Sequence, residues 1–310
     1  MERAPAVAGT FYEADGVRLA RQVDDLLADA GVPADGPQPA LAVIAPHAGY
    51  AFCGHVLADV YTGIAIPDRV VIVAPNHTGL GEAAAVSRAD AFRTPIGSVP
   101  RDAGLSDALV AAGTLTWDDL AHLEEHAVEV HLPFLLRRNP AVRVAAVCLR
   151  TTSFATCEAI GAALADAIAA AGEPVLIVAS SDMNHHEPRR VAFRKDRMAL
   201  ERIAELDARG LYAGVVEHHV SMCGVVPAVV ALIAARRLGA RHAGVVSYAT
   251  SGDVDGDDSS VVGYAGVLVT RERPRTVLRS LCGAEPAGLP MPGALRARAN
   301  GNGHADRSTD

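Results

Sequence analysis

The chain has 310 residues, half of them apolar, with a formal net charge of −8 and a pI near 5.8. That length carries one large domain or two modest ones, and the apolar share supplies a substantial core. The acidic balance argues against a nucleic-acid groove or an anionic membrane surface as partner. Pro5, Glu13, Asp15 and Arg18 interrupt the start of the chain. No basic head leads into an apolar run, so secretion is not expected. No stretch of eighteen residues is free of charge and turn formers, so no membrane span is expected either. The five cysteines (Cys53, Cys148, Cys157, Cys223, Cys282) are odd in number and scattered, without a CxxC pair. That usage suits a reducing cytoplasm and fits neither a disulfide framework nor a zinc finger.

In chain order, Gly16–Ala30 comes first, with Leu19, Val23, Leu26 and Leu27 on one face at helical spacing. Leu41–Ala45, Arg69–Ala74 and Val142–Leu149 follow as short, nearly unbroken apolar runs, the pattern of strands buried on both faces. Phe154–Ala171 has helical character, Pro174–Ser180 is another apolar run, and Val191–Ala208 is again helical. Val225–Leu238 is apolar nearly all round and reads as a buried helix; Ala243–Ala249 and Ser260–Val269 close the series as strands. Strands alternating with helices predict an α/β sheet with helices on its faces. From Arg271 the character changes. Residues 271–310 hold seven Arg against four acidic residues, and Pro, Gly, Asn and Ser dominate the last third. The reading is a folded region over 1–270 and a low-complexity, disordered tail, with a short helix around Thr276–Leu281.

Three strands end alike. Leu41–Ala45 runs into Pro46-His47-Ala48-Gly49-Tyr50, Arg69–Ala74 into Pro75-Asn76-His77-Thr78-Gly79, and Pro174–Ser180 into Ser181-Asp182-Met183-Asn184-His185-His186. Ligands of open α/β sheets bind beyond the carboxyl ends of the strands, so these groups are expected to converge. Neutral imidazole serves iron, copper or zinc. One histidine alone would only cap a strand end; two in matching contexts beside an Asp-x-x-His favour metal binding or catalysis. Cys223 precedes the buried helix, with Ser221 as its expected N-cap. A thiol at the positive end of a helix dipole would be acidic, fit for a metal or a nucleophilic role, whereas most free cysteines are small buried hydrophobes.

Other motifs are weaker. His122-Leu123-Glu124-Glu125-His126 matches the inverted zinc-protease pattern, which needs a helix to put His122 and His126 on one face. Trp117–Glu125 instead reads as an acidic surface segment. Asp253, Asp255 and Asp257 imitate a calcium loop, but glycine falls at the fourth position and Tyr264 at the twelfth. Gly79, Gly81 and Ala84 follow a strand in a loose GxGxxA form without a clear helix after them. Glu125, His126 and His131 lie with Glu129 among apolar residues, an expensive arrangement without local partners, and are assigned as support for the pocket.

Ala8-Gly9-Thr10-Phe11-Tyr12, Ala45 to Tyr50, Cys53-Gly54, Pro75 to Gly79, Arg93-Thr94-Pro95, Glu125-His126, Glu129 to Phe134, Ser180-Ser181-Asp182 with His185, Cys223-Gly224 and Ser259 to Ala265 occur in one order across the folded region. In this the chain resembles the Memo family. The resemblance implies a single three-layer α/β domain with a mostly parallel or mixed central sheet, related to class III extradiol dioxygenases, which use nonheme ferrous iron. It implies His47, His77 and Cys223 as metal ligands, with Asp182 and His185 beside them as catalytic groups. Dioxygenases use a carboxylate where Cys223 stands, and a thiolate draws softer metals. Fe(II) is therefore the first expectation for the cofactor, copper the rival and zinc the third. Bacterial and archaeal members often resemble component B of the AmmeMemoRadiSam set, implying a functional link to a radical-SAM protein and an AMMECR-type protein.

The leading expectation is a metal-binding, oxygen-using redox enzyme acting on an unidentified small-molecule or peptide ligand. The competing one is a non-catalytic module that binds a peptide or handles metal in the same crevice. The tail has little to bury against the entropy of ordering it. A chain ending at Thr270 should therefore melt within a few degrees of the full-length protein by circular dichroism; a large drop would mean that the tail docks on the core.

Overall fold

The computed structural model describes residues 1–150 and 152–275. The helix expected around Thr276–Leu281 and most of the expected tail lie outside the described residues. The chain begins with β1 (Glu2–Arg3), α1 (Gly16–Ala30), β2 (Ala42–Ala45), α2 (Tyr50–Gly63) and β3 (Arg69–Pro75). Next come β4 (Ala84–Val86), β5 (Ala91–Thr94), β6 (Gly97–Pro100), α3 (Ala103–Ala111), β7 (Thr116–Trp117) and α4 (Leu132–Arg138). After these follow β8 (Arg143–Leu149), α5 (Phe154–Ala171), β9 (Val175–Ser180), β10 (His185–Glu187), α6 (Arg189–Ala204) and α7 (Ala208–Glu217). α8 (Val225–Arg237), β11 (His242–Thr250), α9 (Gly252–Asp255) and β12 (Val261–Thr270) complete it.

The main sheet runs β10-β12-β2-β9-β3-β8-β4-β7, with β11 on β12. Its centre, β2-β9-β3-β8, is parallel, and β12 and β4 flank it antiparallel, so the sheet is mixed. Alternate residues of each central strand enter opposite layers. Ile44, Val71, Val73, Val147 and Ile177 pack with α3, α5, α6, α7 and α8. Val43, Val70, Ile72, Val144 and Val178 pack with α1, α2 and α4. This is one three-layer α/β domain. The strands read as unbroken apolar runs because both faces are covered.

Local signals set several helix ends. Asp15 accepts from the Arg18 N–H to start α1, and Ser153 accepts from the Thr156 N–H to start α5. Gly172 ends α5 with φ of 69°, a left-handed position that glycine adopts without strain. Among the described residues, α5 is the one helix long and apolar enough to cross a membrane. It carries Glu158 and Asp166 and packs its Ile160, Leu164 and Ile168 into the core. Gly161 lets it approach α8: a Cβ there would sit 2.8 Å from the Ile233 side chain.

Two expectations need correction. The helix expected over Val191–Ala208 is two helices, broken where Leu206 turns to φ of 56° and Asp207 caps α7 through the Gly210 N–H. The expected surface segment Trp117–Glu125 is partly interior: His122 and Glu125 are buried, while Leu120 and Leu123 face solvent. No helix forms over His122–His126; only a 3₁₀ turn covers Leu120–His122. α2 was not anticipated, because it is buried on nearly all sides and shows no apolar stripe.

The first twelve residues are fastened by one buried carboxylate. Glu129 receives the Arg3 guanidinium, the Tyr12 hydroxyl, the Ala6 N–H at 2.7 Å and the Val7 N–H at 3.0 Å. Arg3 also donates from Nε to the His122 carbonyl, 3.1 Å away. Removing one member of such a pair leaves the other charged, buried and uncompensated. Arg3→Met is expected to cost about 3–5 kcal/mol of stability in urea unfolding; a loss near zero would show that the pair is screened.

Candidate metal centre

β2, β9 and β3 are adjacent and parallel, with Ala45 opposite Ser180 and Ala179 opposite Val73, so their carboxyl ends meet at one edge. His47, Asp182 and His77 follow those ends by two residues each. The segment between β7 and α4 crosses the same edge and delivers Glu125, His126 and His131. The ligand atoms of His47, His77 and His126 all lie within 4.8 Å of one another. The rings of His77 and His126 stack at 4.8 Å and 19°, and His47 stands edge-on to both.

Glu125 lies behind two of these rings. It accepts from the His77 N–H at 2.6 Å and from the Ala127 N–H at 2.9 Å, and it meets Nδ1 of His77 at 3.0 Å and Nδ1 of His126 at 3.4 Å. Burial pushes its carboxyl up, but the bonds and charge of His77 outweigh this and hold it below the usual range. In return, Glu125 overcomes the burial that pushes His77 down and raises it. Burial lowers His126, only partly offset by Glu125, and pushes His47 far down. The neutral imidazoles this favours are the form that binds metal.

In front of the rings is a cavity of about 400 Å³, bordered by Thr10, Phe11, Phe52, Asp182 and His185. Asp182 is buried and accepts from the His47 N–H at 2.8 Å; burial pushes its carboxyl up to about 7, against the pull of that bond. Burial also lowers His185, whose Nδ1 meets the Ser221 carbonyl at 2.7 Å. Phe11, held through its carbonyl by the Tyr50 N–H, packs edge-on to His126.

The structure distributes the expected site residues unevenly. His47 and His77 come together, joined by His126, which the sequence placed only among the supporting groups. Cys223 meets the cluster through His47, its Sγ 3.2 Å from Nε2. Of the two readings left open for it, acidic thiol or small buried hydrophobe, burial favours the second by pushing the thiol well up. Ser221 is not an N-cap. Gly224 is the N-cap of α8 and has no side chain to cap with, and the Ser221 hydroxyl instead receives the His185 N–H and meets Asn184. Gly224 has to be glycine, since a Cβ would fall 2.3 Å from the Ser180 carbonyl oxygen. His131 is fully buried behind Ser180 and does not border the cavity. His122 lies apart, its Nδ1 3.3 Å from the Cys148 thiol, so the protease pattern has no shared site. After Gly79 and Gly81 comes β4, a strand, which removes the dinucleotide reading. Phe52 and the Ser180 hydroxyl escaped sequence reasoning, although both lie inside or beside quoted motifs.

Three imidazoles, one with a firm carboxylate partner, form a donor set fit for one transition-metal ion, without selecting among iron, copper and zinc. The sequence profile of Memo-like proteins matches residues 3–268. A MEMO1 family protein of Methanopyrus kandleri is 42% identical over 282 residues, covering 87% of this chain and 100% of that one. One from Methanothermobacter thermautotrophicus is 40% identical, covering 86% and 99%, and one from Aquifex aeolicus is 39% identical, covering 86% and 98%. The crystal structure of an uncharacterised Escherichia coli K12 protein aligns with a TM-score of 0.49 at 15% identity, over 72% of this chain and 98% of that one, which is too weak to carry an argument.

Carboxylates behind metal-bound imidazoles typically contribute ten- to hundredfold in affinity. Glu125→Gln should therefore weaken metal binding about tenfold or more in calorimetric titration, while His122→Ala leaves metal content unchanged. Loss of metal on His122→Ala would bring the protease pattern back.

Proposed function

The chain belongs to the Memo-like family, and we propose that it is a mononuclear metalloprotein carrying out redox chemistry on a small ligand held beside the metal. The observation that supports this is the three-imidazole cluster, with a buried carboxylate behind it and an open cavity in front. His47, His77 and His126 would hold the ion, and Cys223 stands next to His47 as a further donor. Fe(II) is the leading occupant, copper the next and zinc the last; iron would supply electron transfer and coordination positions open to oxygen and ligand.

The other groups divide the remaining work. The Ser221 carbonyl can only accept, so Nδ1 of His185 carries the proton and Nε2 is left to take one from a ligand. Asp182 borders the cavity, where it would act as acid or base toward a ligand, and it holds the His47 backbone in place. Phe11 and Phe52 present apolar walls to the ligand. Among the described residues no lysine or arginine borders the cavity, and Asp182 and the imidazoles, with the metal, would orient the ligand.

Metal analysis of protein purified without oxygen should find close to one iron per chain, lost when His47, His77 and His126 are all changed to Ala. The iron-loaded protein should consume oxygen when offered catechols, and His185→Gln should abolish uptake with the iron still bound. Full iron in the triple variant would sink the ligand assignment. Iron binding without oxygen uptake under any catechol would remove the redox half of the reading.

A further inference from the structure

Behind His47 lies a chain of polar groups that do not border the cavity. Ser180 Oγ has three neighbours: the Ala127 carbonyl at 2.7 Å, His47 Nδ1 at 2.7 Å and His131 Nε2 at 2.9 Å. On the far side of His131, Nδ1 lies 2.9 Å from the Tyr61 hydroxyl. Tyr61, His131 and Ser180 are completely buried and His47 nearly so. They come from α2, the 3₁₀ turn Glu129–His131, the end of β9 and the loop after β2.

The protons of this chain can be counted. A hydroxyl and a carbonyl 2.7 Å apart need a proton between them, and the carbonyl has none. The single Ser180 proton therefore points at Ala127, and the serine oxygen can only accept from both histidines. His47 must carry its proton on Nδ1 and His131 on Nε2. A buried imidazole with no carboxylate in contact is neutral, so Nδ1 of His131 is an acceptor, which the Tyr61 hydroxyl fills. Every donor and acceptor is then used consistently. With the His47 proton on Nδ1, the lone pair sits on Nε2.

We propose that Ser180 and His131, backed by Tyr61, are positioning residues that fix which nitrogen of His47 is offered to the metal. The proposal rests on His47 being a ligand. Stability alone does not account for the chain, because apolar groups of the same shape would fill the space at little net cost, whereas each unsatisfied member is expensive. What the chain does add is a choice: the tautomer of a metal-binding histidine is set by the bond its other nitrogen makes. Ser180 is well placed for this because β9 lies between the strands that carry His47 and His77.

The test begins with metal-free wild-type protein. Two-bond ¹H–¹⁵N correlation spectra, assigned with His47→Gln and His131→Gln, should show His47 protonated on Nδ1 and His131 on Nε2. In Ser180→Ala, the His47 signal should move toward the Nε2–H form and affinity for Zn(II), a redox-silent probe, should fall about tenfold or more. Ser180→Thr, which keeps the hydroxyl, should recover both. Wild-type His47 protonated on Nε2, or a folded Ser180→Ala with unchanged affinity and tautomer, would overturn the proposal. A wild-type protein with the expected tautomer that binds neither Zn(II) nor Fe(II) would overturn the metal site instead, leaving the tautomer assignment standing.

Discussion

Because β2, β9 and β3 pair in parallel and in register, their last residues have to arrive at one edge of the sheet, and the rest of the site follows from that. His47, Asp182 and His77 come within reach of one another although their positions in the sequence are far apart. The middle strand of the three supplies Ser180, the group that links His47 to His131. Helices on both faces keep water from the strands, so polar groups at this edge satisfy one another or face the cavity.

Two segments close over that edge and are tied together. The stretch between β7 and α4 brings Glu125, His126 and His131, and the first twelve residues bring Thr10 and Phe11 to the cavity rim. Glu129 joins them through Arg3, Tyr12 and two backbone N–H groups. A buried carboxylate is costly, and here its cost is offset by a full set of donors. The same economy applies at Glu125, whose oxygens are occupied by the residues they orient. One carboxylate thus anchors the start of the chain, and its neighbour holds two imidazoles.

Much was legible in the sequence wherever the signal is local. α1 and α5 begin and end where their sequence pattern places them, and the structure shows Asp15, Ser153 and Gly172 at their ends. The central strands lie within a residue or two of their apolar runs. The matching contexts of His47 and His77, each after a strand and a proline, together with Asp182 after a third strand, located the site edge, because strand direction and the α/β pattern determine where such ends gather.

Only the tertiary structure decided the rest, for physical reasons that no window of sequence contains. α2 is surrounded on nearly all sides, which erases the stripe by which helices are read. The break at Leu206 depends on a left-handed residue that pattern alone does not demand. The place of Cys223 before a helix left an acidic thiol and a buried hydrophobe equally open, and burial governs its thiol. His126 joined His47 and His77 because its loop crosses the strand ends, a matter of long-range packing. His131 bears on the site only through Ser180, since a hydrogen bond across three elements has no trace in spacing. The sequence determined which strand ends would gather their polar residues at one edge, because strand direction and apolar runs are local signals; folding decided which side chains meet there, because that depends on long-range packing.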